Sequence, residues 1–267
     1  MIKTQIQVFN NILNKVKTMT KIINQEEKKN PQGRKLAMTK EEIIALGVFK
    51  QIQGIKTKKS IYEIFSLPCS YKTLVVNINR FAFLILIIIK WLLSQNKKCS
   101  YPVKYTDSTD IPVCLNRKAY KHKVMKGIAQ WSKTGKGWFY GLKLHLTADM
   151  KKNVLSLKLT SGNINDVNVF EELNKDLNGI FVCDAGYISK AMANRFNNSK
   201  RIIFVSPRAN MKIISTKWQR LLMSTRMRVE IHFNVLKNFF GLITSLPRSV
   251  NGYLANYTYS LFAYLIK

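Results

Sequence analysis

Residues 137–160 constrain the fold of this chain more than any other part of it. Trp138, Tyr140, Leu142, Leu144 and Leu146 alternate with Phe139, Gly141, Lys143 and His145. A period of two is that of a strand with one apolar face. Asp149-Met150-Lys151-Lys152-Asn153 is polar and turn-forming, and residues 154–159 alternate again, with Leu155, Leu157 and Leu159 on one side. The pattern predicts an antiparallel hairpin. Gly179–Cys183 and Arg201–Val205 are short apolar runs that read as buried strands. Residues 101–107 read as one more short strand, with Asp107 at its end. Helical patterns fall at 166–177, at 189–196 with Ser189 as cap, along a long segment 218–240, and at 251–266. The order predicts an α/β chain with a mixed five-stranded sheet flanked by helices.

A different character precedes residue 99. Residues 1–35 are rich in Lys, Asn and Gln and read as a polar, loosely helical leader. Residues 36–98 read as a small helical N-terminal region. Thr39 and Glu42 have the spacing of a capping box, and Pro68 separates helices at 60–65 and 71–93. The most apolar run, residues 81–89, is cut by Lys90 and falls short of the roughly 20 residues a membrane span needs. It reads as a buried core element, and no membrane partner is expected. Residues 1–30 lack the apolar run of a secretory signal, so a cytoplasmic location is expected. Residues 99–267 then form the expected catalytic domain, and 36–98 the part expected to recognise a partner or assemble the protein.

Charge narrows the partner. The chain carries 44 Lys+Arg against 14 Asp+Glu, a formal charge of +30. The excess is spread along the chain, which excludes a neutral enzyme with a basic tag and points to a polyanion. An apolar fraction of 46% excludes a disordered basic tail. A Lys-rich coding bias accounts for some of the bases and not for the scarcity of acids. Cys69, Cys99, Cys114 and Cys183 are scattered, as are His122, His145 and His232. No zinc spacing is present, and free thiols are expected.

So few acids can be taken one at a time. Most lie on helical or leader segments that read as solvated faces, Asp149 sits in the hairpin turn, and Asp166 starts a helix. Asp107, Asp110, Asp184 and Glu230 remain. Asp184 follows the apolar run of Gly179–Cys183, where a carboxylate is costly to desolvate without a cation. Glu230 stands among Arg226, Arg228 and Lys237, and an ion pair with Arg226 one turn back is its simplest reading. Isolated carboxylates at strand ends and on a following helix also suit hard divalent cations, which prefer oxygen ligands. A pair of such cations suits phosphodiester chemistry, one activating the attacking oxygen and the other stabilising the leaving one.

Five segments in order carry a resemblance: 105–114 (YTDSTDIPVC), 126–146 (KGIAQWSKTGKGWFYGLKLHL), 159–166 (LTSGNIND), 182–189 (VCDAGYIS) and 226–237 (RMRVEIHFNVLK). The chain resembles DDE-type transposases of bacterial insertion sequences, nearest to the insertion-sequence 982 group. The resemblance implies a ribonuclease H-like core with Asp107, Asp184 and Glu230 as catalytic acids holding two Mg²⁺ ions, for which Mn²⁺ could substitute. Arg226, Glu230 and Lys237 match a Tyr-x2-Arg-x3-Glu-x6-Lys signature, with Met223 in place of the tyrosine. The implied activity is binding of terminal inverted repeats in double-stranded DNA, cleavage there, and joining of the 3′-hydroxyl to target DNA. A homodimer on paired ends and a nucleoid-associated location go with it.

Arg226, Lys237, Lys126, Lys133, Lys136, Lys143 and His145 are the candidate DNA contacts. For His145 a structural role on the polar face of its strand stands beside that reading. Asp110 is a rival first acid if the register slips. Trp131 and Trp138 read as core. A ribonuclease H-like nuclease that cuts without strand transfer, such as a junction resolvase, and an inactive DNA-binding copy are the other functions the same residues allow.

Overall fold

A computed structural model describes residues 2–23, 36–187, 190–198, 200–205 and 216–267. The helices α1 (Ile2–Ile23), α2 (Lys40–Ile52), α3 (Lys58–Phe65) and α4 (Tyr71–Lys98) come first. β1 (Val103–Pro112), β2 (Gln130–Thr134), β3 (Gly137–Asp149) and β4 (Val154–Ser161) follow. Then come α5 (Asp166–Asn174), β5 (Gly179–Cys183), α6 (Lys190–Phe196), β6 (Arg201–Val205), α7 (Lys217–Ser224), α8 (Met227–Asn238) and α9 (Val250–Ile266). The chain divides into two compact units, one of Met1–Leu92 with Leu236–Lys267 and one of Leu93–Val235. Sequence reasoning kept residues 99–267 together, whereas the last 32 of these group with the N-terminal helices.

The first unit is helical. The capping box predicted at Thr39 is present: its hydroxyl accepts the Glu42 N–H at 3.2 Å, and Glu42 Oε2 accepts the Thr39 N–H at 2.8 Å. Behind that cap α2 is buried from Ile43 to Gln51. Gly47 explains how α9 lies so close to it, because a Cβ there would sit 2.2 Å from the Tyr259 ring. Gln51 reaches Asn256, and Lys15 of α1 donates to the Ile266 carbonyl at 2.7 Å. The leader is therefore a regular helix over Ile2–Ile23, and residues 24–35 lie outside the described ones. The apolar run 81–89 is part of the 28-residue α4, which buries Ile78, Ile85, Ile88 and Ile89. By length and composition alone α4 could cross a membrane, because one lysine does not interrupt a helix.

The second unit holds a mixed sheet of six strands. β3, 13 residues long, pairs along one edge with all of β1 from Lys104↔Asp149 to Pro112↔Gly141. Its other edge is shared: residues 137–141 pair with β2, and 142–148 with β4. β5 and β6 add in parallel beyond β1. The sixth strand, β2, corrects the expectation of five. It lies in a Lys-rich stretch without apolar alternation, and the β2–β3 hairpin is held by aromatic packing of Trp131 on Tyr140 (centroids 5.6 Å apart). On one side of the sheet Leu155, Phe170, Phe181, Cys183, Tyr187, Met192, Phe196 and Ile203 form a core with α5 and α6. The fold is ribonuclease H-like.

The α2–α9 contact gives a direct test. Gly47→Ala puts a methyl into the fully enclosed Tyr259 ring and should cost about 1–3 kcal/mol. Gly135→Ala, which meets open space, should be close to neutral. Denaturant unfolding of the two variants checks the contrast.

Candidate active site

Strand register sets the site. β1 and β5 run parallel, and their pairing ends at Thr106↔Cys183. The next residues on the two strands are Asp107 and Asp184. Asp184 follows the last residue of β5, and its charge acts on the Asp107 carboxyl, so the two acids lie near each other just past the end of this pairing. Asp107 is not at a strand end, as the sequence suggested. β1 continues to Pro112 because the longer antiparallel β3 keeps pairing with it, and Asp107 marks only the end of the parallel partner.

Each face of β1 has its own partners. Residues 105 and 107 meet the segment around α7 and α8: the Tyr105 and Thr225 hydroxyls are 2.7 Å apart, and Arg226 Nη1 donates to Asp107 Oδ2 at 3.2 Å. Residues 106 and 108 meet α5. Thr106 and Thr147 hydroxyls are 2.9 Å apart, Thr147 donates to Asn174 Oδ1 at 2.7 Å, and Ser108 donates to Asp166 Oδ1 at 3.1 Å. Asp110, an odd number of residues from Asp107, lies on the α5 side in register with Lys143. Register thus puts Asp107, and not Asp110, beside Asp184.

The third acid arrives through a helix break. Sequence patterning predicts one helix over 218–240, but α7 ends at Ser224 and α8 begins at Met227. Thr225 turns its hydroxyl back onto the Leu222 carbonyl at 2.8 Å, and the local backbone bonds tighten to i→i+3 spacing, Arg226 N–H to Met223 and Val229 N–H to Arg226. The break aims Arg226 at two carboxylates. Its Nη2 donates to Glu230 Oε1 at 3.3 Å, the ion pair expected from the sequence, while Nη1 holds Asp107. The tie to Asp107 has no signal in the local sequence, since the partners are 119 residues apart.

Burial pushes the Asp107 carboxyl up to about 6. The Ser108 N–H at 2.8 Å and the Arg226 guanidinium pull it down, and the charges of Asp184 and Glu230 push it up again. Both other acids therefore lie within electrostatic reach of Asp107. Asp107 has 19% of its side chain exposed and Glu230 52%. The three acids form a graded mouth, from a nearly enclosed carboxyl to open ones.

The candidate DNA contacts separate into two kinds. Lys126, Lys133 and Lys136 are exposed, as are Arg117, Lys118, Lys121 and Lys123 around them. Lys237 sits seven residues beyond Glu230 on α8. Lys143, by contrast, is committed to Asp166 at 3.2 Å. His145 is fully buried, and its Nε2 is 2.9 Å from the Thr160 hydroxyl, so its role is internal. Its strand reads as amphipathic, but α5 covers the polar face. Trp138 reverses the expectation in the other direction: it is 59% exposed, and Tyr120 is 92% exposed.

A transposase DDE domain model matches residues 97–250, more than half of the chain. The chain belongs to the transposase DDE domain family. No curated protein matches it in sequence. The piggyBac transposase in a synaptic complex with hairpin DNA is similar in fold: TM-score 0.55, 11% identity, 97% of this chain and 74% of that one covered. A pre-cleavage Mos1 transpososome and a Mos1 mariner paired-end complex with Mn align over 91% and 92% of this chain and 83% of theirs. Both are 12% identical with a TM-score of 0.27. Within this DDE domain the matched span includes Asp107, Asp184, Arg226 and Glu230.

His145 supplies a pH test of the domain's interior. Burial lowers its imidazole from 6.5 to about 4, against the opposing pull of Asp166. The unfolded chain takes up the proton first, so stability contributed by neutral His145 is present above about 6.5 and is lost as pH falls toward about 4. His232, lowered to about 4 by burial, acts in the same direction. His145→Gln should make Tm fall less steeply between about pH 6.5 and 4 than it does in the wild type.

Proposed function

We propose that this protein is a DNA transposase of the insertion-sequence type, akin to the 982 group, that cleaves element ends and joins the freed 3′-hydroxyl to target DNA. The observation that carries the reading is the β1–β5 register, which sets Asp107 beside Asp184 on the face where Arg226 ties in Glu230. Family membership supports the class of chemistry, and this geometry is what favours these three residues.

The donor set suits a hard divalent cation. It is all carboxylate, the charges of Asp184 and Glu230 add to the raised proton affinity of Asp107, and a cation already stands between two of the three. Among the described residues no three ligating side chains converge at coordination distance. Asp107, Asp184 and Glu230 would hold Mg²⁺ or Mn²⁺, which would supply activation of the attacking oxygen and charge stabilisation at phosphorus. The protein's own part is to position the phosphate. Arg226 presents a planar fork matched to phosphate oxygens, and Lys237 lies farther along the same helix.

Sequence-independent affinity comes from the exposed bases between Arg117 and Lys136. Trp138 and Tyr120 on the same stretch offer exposed aromatic faces, on which unpaired bases could stack. The helices before β1 are assigned to recognition of the inverted repeats and to pairing of two ends in a homodimer, with the assembly acting at the nucleoid.

A mixture of paired labelled element ends, Mg²⁺ and a target plasmid tests the proposal. Wild-type protein should cut and join. Asp107→Asn, Asp184→Asn and Glu230→Gln should each lose cleavage by at least about a hundredfold while binding DNA as before. Normal cleavage by Glu230→Gln would remove it from the site, and cutting without joining would make the protein a nuclease.

A further inference from the structure

Arg226 does more in this structure than line the site. Its two terminal nitrogens go to two different carboxylates, Nη1 to Asp107 Oδ2 at 3.2 Å and Nη2 to Glu230 Oε1 at 3.3 Å. Asp107 has no idle oxygen left, because Oδ1 accepts the Ser108 N–H at 2.8 Å. The guanidinium therefore occupies the position between the two carboxylates. A second cation bound by Asp107 and Glu230 must share or take those oxygens, and like charge at such range is strongly unfavourable.

The backbone at this residue permits an exchange. Arg226 lies in the break between α7 and α8, outside the regular hydrogen bonding of either helix. Its neighbour Thr225 is pinned to Tyr105, so the break stays docked on β1 whichever way the Arg226 side chain points. With 24% of its side chain exposed, the guanidinium has a path outward.

We propose that Arg226 is a displaceable cationic latch: it holds Asp107 and Glu230 together until a divalent cation takes their oxygens and releases the guanidinium. This rests on the assignment of those acids as metal ligands. Arg226 is here a positioning residue that keeps Asp107 and Glu230 from repelling each other and competes with the ion they bind. A purely supporting arginine would have the opposite signature, because its loss would scatter the acids and weaken metal binding.

Metal affinity separates the two. Mn²⁺ titration of the full chain, followed by the electron paramagnetic resonance of free ion, reads binding without any turnover. Arg226→Gln should bind Mn²⁺ about tenfold more tightly than wild type, since an adjacent opposing charge is worth about one decade or more. Arg226→Lys keeps the charge but cannot span both carboxylates, and should fall between. Without metal, Arg226→Gln should melt below wild type, and saturating Mg²⁺ should narrow the gap. Asp184→Asn is the control and should weaken binding in every background. If Arg226→Gln and Arg226→Lys bind as wild type does or more weakly, while Asp184→Asn still weakens binding, the latch is wrong and the metal site stands. If binding is absent or indifferent to Asp184→Asn, the metal assignment fails and the latch with it. Should Arg226→Gln not fold, Arg226→Lys decides alone, a tighter affinity supporting the latch.

Discussion

The register of one parallel strand pair governs the second unit. With Thr106 opposite Cys183, the next residue of each segment is an aspartate, and the two are close enough for the charge of Asp184 to act on Asp107. A one-residue slip would send one carboxylate into the core of Phe170, Phe181 and Phe196. Such a core would not accept a charge, so burial on the α5 side enforces the alignment of acids on the other. The polar contacts of that side work toward the same end. Thr106, Thr147 and Asn174 are buried and satisfy one another across β1, β3 and α5. A closed network of this kind tolerates only one placement of its strands.

Bringing acids together has a cost that the structure meets locally. Asp107 is largely enclosed, and its raised proton affinity measures how poorly its surroundings solvate a charge. Arg226 offsets part of that, at the one point where the helix breaks. The break and the ion pairs depend on each other: a continuous helix through 225 and 226 would carry the guanidinium along a regular face instead of across to β1. Tyr105 and Asp107, two residues apart on β1, fasten to Thr225 and Arg226 in the same order.

Much of this was legible in the sequence, for identifiable reasons. Period-two alternation located β3 and β4, because apolar and polar side chains alternate along them even where both faces of β3 are covered. Uninterrupted apolar runs located β5, which is enclosed between β1 and β6, and β6, which lies at the edge with Ile202 49% exposed and so is less buried than its sequence suggests. Scarcity of acids isolated Asp107, Asp184 and Glu230, although only the fold could show Asp107 inside a strand. What escaped depends on contacts distant in sequence. β2 is held by Trp131 packing on Tyr140, the division at Ser224 by hydroxyl bonds of Thr225, and the burial of His145 by a helix that starts 21 residues later. Trp138 was misread because an aromatic on an alternating strand counts as core until the strand is seen to outrun its neighbours.

Charge takes on a narrower meaning once the site is placed. A DNA phosphate approaching three carboxylates is repelled by them, and a net +30 on the chain does not alter that at contact distance. Screening limits each exposed lysine to about a Debye length, 8–10 Å at moderate salt. In the proposed function the exposed bases between Arg117 and Lys136 would draw DNA to the domain, a task separate from offsetting the acids. That second task falls to cations inside the site, and among the described residues Arg226 pairs with two of the acids. Attraction at the surface and compensation within are separate functions, carried by different residues. The basic surface should therefore govern affinity and its salt dependence, while the cation between Asp107 and Glu230 governs when the site is ready to act.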